Sequence, residues 1–196
     1  MSRVFLIVLM LALALAGGGL WVYLVAFESP GPFHNNLVPE LIGICIEGFL
    51  LVGLLTLVQR SREAARRHEL WLSLRGSFRG LLSHLDVAFL KPDADPASSS
   101  DLETNPKFID YLLDQLARKC PDLDSLVAIK REAAETVSLS RDLVAVAAQL
   151  SASHMNWWIA IVDSIRRLAE ARDRKQAEIA IHEMLVNIRE LDRLKY

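Results

Sequence analysis

The chain has 196 residues, enough for one soluble domain or for a membrane anchor joined to a small domain. A net charge of -2 excludes a globally basic nucleic-acid binder. Two cysteines, Cys45 and Cys120, cannot build a disulfide framework. Neither stands near a second Cys or a His pair at ligand spacing, so no metal site is expected.

No residue is charged between positions 4 and 27. Such a run exceeds the ~20 residues that a helix needs to cross a ~30 Å hydrocarbon core. A second apolar run covers residues 37–58, broken only by Glu40 and Glu47. Between them ESPGPFHNN, residues 28–36, carries the prolines, glycine and asparagines of a tight turn. The pattern predicts a transmembrane helical hairpin within residues 1–59, with spans at about 4–27 and 37–58. Ala14-Leu15-Ala16 also fits a signal-peptide cleavage site. However, the apolar run continues to residue 27, past the ~7–15 residues of a signal sequence. Trp21 and Tyr23 near its end suit an interfacial aromatic belt, so a retained helix is expected.

Glu40 and Glu47 lie seven residues apart and share one helix face. Glu40 is close to the end of its span, where a carboxylate reaches water. Glu47 is ~10 Å deeper at 1.5 Å per residue, near the bilayer centre. Exposing an acid to lipid there costs ~2.5–3.5 kcal/mol. Glu47 is therefore expected to face the partner helix or an oligomer axis. The alternative is a protonated acid hydrogen-bonded within a single hairpin.

Arg60, Arg62, Arg66 and Arg67 form a basic collar after the second span, and the turn holds no Lys or Arg. The positive-inside rule then predicts a multi-pass membrane protein with the short turn outside and both termini cytoplasmic. The collar either only sets topology or also attracts anionic headgroups, at about 1 kcal/mol per residue near the surface.

Beyond the collar the composition is helical, and no long strand-like alternation occurs, so the fold class is all-α. Residues 60–90 read as one membrane-proximal amphipathic helix, striped by Leu70, Leu74, Phe78, Leu81, Leu82, Leu85 and Phe89. KPDADPASSSDLETNP, residues 91–106, reads as a flexible linker. Residues 107–196 read as a cytoplasmic helical domain. Asn105-Pro106 supplies an N-cap and an N1 proline, and Cys120-Pro121 a stop. From Asp122 an apolar stripe runs to Leu168, which leaves open whether residues 122–172 are one helix or two. Asp173 with Gln176 matches a capping box that starts the last helix near Arg174. An antiparallel bundle of three to five helices would bury these faces.

Little points to chemistry. His182-Glu183 opens like a zinc-protease motif, but Val186 stands where its second His belongs. Gly17, Gly18 and Gly19 lie in an apolar helix, where close helix packing is a better reading than a phosphate loop. No catalytic residue, cofactor or metal ligand is assigned, and the chain is read as a non-enzyme. Trp157 and Trp158 open the most apolar stretch outside the spans. They read first as the centre of the helical core and second as a partner surface. The arginines of residues 166–174 alternate with Asp163, Glu170 and Asp173, the pattern of a solvated, ion-paired face.

NNLVPELIGICIEGFLL, residues 35–51, resembles small bacterial two-transmembrane proteins whose second membrane helix begins with an N-x-x-x-E-L-I-G-I-like phrase. The matching residues are Asn36, Glu40, Leu41, Ile42, Gly43 and Ile44. Some members of that group look like membrane effectors of phage defence, paired with a cytoplasmic sensor. The resemblance implies a bacterial inner-membrane location, a membrane effector and no catalytic residue. Two functions are therefore expected in competition. One is an oligomerising effector that perturbs the membrane under control of its helical domain. The other is a membrane-anchored scaffold or regulatory subunit that recruits a cytoplasmic partner. The expected partners are the lipid bilayer, further copies of the chain or a cytoplasmic protein, with no nucleic acid.

Overall fold

The computed structural model describes residues 3–26, 37–90 and 95–194, except for the side chains of Arg3 and Val4. The described residues form helices and irregular segments, with no strand among them. The chain divides into two compact units, residues 1–65 and 66–196.

The first unit contains α1 (Arg3–Ala26) and the apolar part of α2 (Val38–Gly76). Both are long and apolar enough to cross a membrane. Only 6% of each apolar window is buried, unlike the core helix of a soluble protein. The predicted turn at residues 28–36 lies outside the described residues. Glycines bring the two helices together. A Cβ on Gly17 would stand 3.2 Å from the Cβ of Cys45, and one on Gly48 3.3 Å from Leu13 Cδ1. Gly53 similarly faces the end of Met10. Position numbers rise along α1 as they fall along α2, so the pair is antiparallel. Small residues at the crossing allow the backbone approach that drives helix association in lipid. Thr56 hides its hydroxyl by donating to the Val52 carbonyl at 2.7 Å.

The second unit begins within α2, which continues unbroken from the apolar run to Gly76. Residues 60–90 are therefore not one helix. The chain breaks at Ser77 and Phe78, and α3 (Arg79–Phe89) follows. Ser77 closes the break by donating both its amide and its hydroxyl to the Leu74 carbonyl. Residues 91–94 of the expected flexible linker lie outside the described residues, and its described part, 95–106, is tied to the core. Within it, α4 (Ser99–Thr104) is capped by the Ser98 hydroxyl, which accepts from the Asp101 amide. Leu102 inserts into the core, and buried Asp86 accepts from the Ala97 amide at 2.7 Å. A buried leucine and a satisfied buried carboxylate outweigh a linker-like composition.

The caps expected on either side of the domain are present. Asn105 accepts from Lys107 at the start of α5 (Pro106–Arg118). Asp173 accepts from Gln176 at the start of α9 (Arg174–Asp192). Residues 122–172 form three helices. They are α6 (Leu123–Asp142), α7 (Val144–Leu150) and α8 (Ala152–Glu170). Asp122 caps α6 and Ser151 caps α8 through their side chains.

The bundle centres on α8, which packs against α9, α6 and α7, while α3 packs on α6 and α5 on α9. Its core joins Phe78, Leu81 and Leu85 to Ile129, Trp158, Ile161, Ile165, Ile181 and Leu185. Trp158 is wholly buried and stacks on Phe78, with ring centroids 4.8 Å apart. Its indole N–H donates to the Ser140 carbonyl at 2.7 Å, in the last turn of α6, where carbonyls lack helical partners. This overturns a partner-surface role for Trp158. Trp157 is partly buried against the same core.

Candidate functional site on the apolar hairpin

The arrangement of α2 follows from its period. Cys45, Gly48 and Gly53 meet α1, and half-buried Ile42 lies on the same side. Glu47 is two residues from Cys45, which places it about 200° round the helix. It is exposed, and among the described residues it makes no hydrogen bond or ion pair. Glu47 therefore does not face the partner helix of its own hairpin. Glu40 is exposed on the same outward face. Leu54 lies on it too, seven residues beyond Glu47, and is 63% exposed. A Cβ on Gly43, four residues before Glu47, would meet nothing within 4 Å. The outward face is thus apolar, locally flat and marked by two carboxylates. Among the described apolar residues of the two helices, these are the carboxylates.

An apolar cleft of about 320 Å³ is lined by residues of both helices, among them Leu13, Ala14, Gly17, Trp21, Cys45 and Phe49. No carboxylate or imidazole lines it, and its one titratable lining group is the Cys45 thiol.

The four collar arginines have different surroundings. Arg60, Arg62 and Arg66 are exposed and Arg67 is half-buried. Arg66 donates to the Gln149 side chain at 2.7 Å, fastening α2 to α7. The positive charge of Arg67 acts on His154. The more distal half of the collar is thus engaged with the helical bundle.

His154, in the first turn of α8, is a buried histidine. It is 2% exposed, and Nδ1 lies 2.8 Å from the Ser151 hydroxyl. Burial, and then the nearby charge of Arg67, hold its pKa below the ordinary histidine range. The unfolded chain takes up a proton at about pH 6.5, whereas the folded chain resists it. The resulting stability is complete above about pH 6.5 and is lost as pH falls towards the lowered folded pKa. Urea unfolding at about pH 7.5 and 5.5 should therefore show a lower midpoint in the acid sample. His154→Gln should reduce that difference, and an unchanged difference in the variant would assign it to other groups.

A charged contact that sequence reasoning missed joins Arg75, in the last turn of α2, to Asp192, the last residue of α9. Arg75 Nε lies 3.1 Å from Asp192 Oδ1, and the side chains are only 1% and 4% exposed. Among the described residues, no group of three or more His, Cys, Asp or Glu is placed to hold a metal ion. In comparisons with known proteins, no family model, curated protein or solved structure matches the chain.

Proposed function

We propose that the chain is a non-enzymatic protein of a bacterial inner membrane whose helical domain controls the two-helix hairpin. On this reading the hairpins assemble side by side through the outward face of α2 and perturb the membrane. The observation that carries it is the position of Glu47. Its carboxyl stands on an exposed apolar face, turned away from α1. In a lone hairpin such a group meets lipid at a cost of about 2.5–3.5 kcal/mol. A neighbouring copy relieves that cost by presenting its own carboxyl, or water, at the same depth. The basic collar and the charge-free first span support an orientation with the helical domain in the cytoplasm.

The competing reading makes the hairpin a passive anchor for a scaffold. A hairpin exchange separates the two. The full chain is reconstituted into vesicles of mixed zwitterionic and anionic phospholipid, and ion leak is followed with an entrapped dye. Leak should rise more steeply than linearly with protein-to-lipid ratio, and should vanish when residues 1–59 are replaced by an unrelated two-helix hairpin. Leak that survives the replacement, or no leak at any ratio, contradicts the effector reading.

A further inference from the structure

The Arg75–Asp192 pair is the most deeply buried charge pair among the described ion pairs, and nothing in the hairpin reading uses it. The other ion pairs all involve side chains a quarter exposed or more, such as Arg167 with Glu183 and Arg174 with Glu178. Here both ions are taken out of water, and the geometry satisfies them poorly. Beyond the Nε–Oδ1 contact at 3.1 Å, neither Arg75 Nη1 nor Nη2 finds a hydrogen-bond acceptor, and Asp192 Oδ2 finds no donor. Burial drives the two groups in opposite directions, lowering the Arg75 pKa and raising that of Asp192, while each partner opposes the shift of the other. Pairs of this kind seldom stabilise a fold more than apolar residues of equal volume would. Asp192 also sits at the carbonyl end of its helix, where the dipole favours a cation. Stability alone therefore does not account for the pair.

Its position does. Arg75 is one residue before the end of α2, the helix that carries the apolar run and Glu47. Asp192 ends α9, which packs against α8, α5 and α6. Neither ion is stable alone in the closed site, so the contact has two states. Either both ions are buried together or both are hydrated, and an intermediate position leaves one charge buried without its partner. We propose that Arg75 and Asp192 form a latch that holds the end of α9 against the end of α2, and that opening it releases α2 to alter the assembly of the hairpin. The second half rests on the hairpin reading above, and the first half does not.

The test uses the full chain in lipid nanodiscs, with two readouts. Hydrogen exchange reports the last turns of α9, and chemical cross-linking of vesicle-reconstituted protein reports hairpin assembly. Asp192→Asn keeps the shape and removes the charge. It should raise exchange in the last two turns of α9 at least tenfold, leave α8 protected, and change the cross-linked fraction. The double variant Arg75→Met with Asp192→Leu replaces the pair by apolar contact. It should restore wild-type exchange and hold assembly in the closed-latch state. Unchanged exchange in Asp192→Asn, or exchange raised throughout the bundle, overturns the latch. Local exchange that rises while assembly stays the same overturns the coupling. If the wild-type chain never assembles, the hairpin reading fails, while exchange in α9 still decides whether the latch exists.

Discussion

Trp158→Ala is expected to destabilise the helical bundle by about 3–5 kcal/mol. Three losses add together. The indole fills the middle of the bundle with no exposed surface, so its removal leaves a cavity between α8, α3 and α6. The stack on Phe78 goes with it. The Ser140 carbonyl loses its donor in the last turn of α6, just before the break at Leu143. Trp158→Phe separates these contributions. It keeps most of the packing and loses the hydrogen bond, so a smaller cost of about 1–3 kcal/mol is expected. Denaturant unfolding of the full chain in mild detergent, followed by far-ultraviolet dichroism, measures both. Equal costs for Ala and Phe would show that the hydrogen bond, rather than the volume, dominates.

Glu47→Leu is expected to weaken association of the hairpins by roughly 5- to 30-fold, corresponding to about 1–2 kcal/mol for an interhelical polar contact in lipid. The substitution cannot disturb packing against α1, because Glu47 points away from Cys45 and Gly48. Glu47→Gln separates polarity from charge. Gln keeps donor and acceptor capacity at the same depth, so near-wild-type association means that hydrogen bonding between copies is what matters. Association retained by Gln with ion leak lost would assign the carboxyl to the ion path itself. Glu40→Gln serves as the comparison. Glu40 shares the face but lies in the first turn of α2, where a carboxylate reaches water, so little change is expected. Association that is indifferent to Leu at position 47 would make that carboxyl a tolerated passenger.

Much of this architecture was legible because it depends on periodicity and caps. Long apolar runs, the first of them free of charge, marked the two long apolar helices. Asn105-Pro106 and Asp173 with Gln176 placed helix starts where the side chains do accept the expected amides. The errors arose where tertiary contacts outweigh local composition. Ser98 to Asp101 is a short capping signal inside a serine-rich stretch, and only the burial of Leu102 makes it a helix worth forming. The break at Leu143 has no Gly or Pro to announce it. It coincides with the turn that hands a carbonyl to Trp158, an interaction 18 positions away in sequence. The stripe through residues 144–168 was visible, but Ser151 as an N-cap was not, since His154 continues the apolar spacing. Glu47 was singled out from sequence, yet its direction needed the partners of Gly17 and Gly48. Arg75 was hidden because it adjoins an apolar stripe, and only an acid in the last turn of α9 hinted at a buried partner.

The proposed assembly requires the face of α2 opposite α1 to meet a second copy of the chain. Cysteine cross-linking in reconstituted vesicles tests it most directly. With Cys45 and Cys120 both replaced by alanine, a single cysteine is placed at Leu54 on the outward face. A second version keeps only the native Cys45, which lies against Gly17 of its own hairpin. Oxidation should convert the Leu54→Cys protein to a disulfide-linked dimer and leave the Cys45-only protein monomeric. A monomeric Leu54→Cys protein, or equal dimer from both, would contradict that assembly.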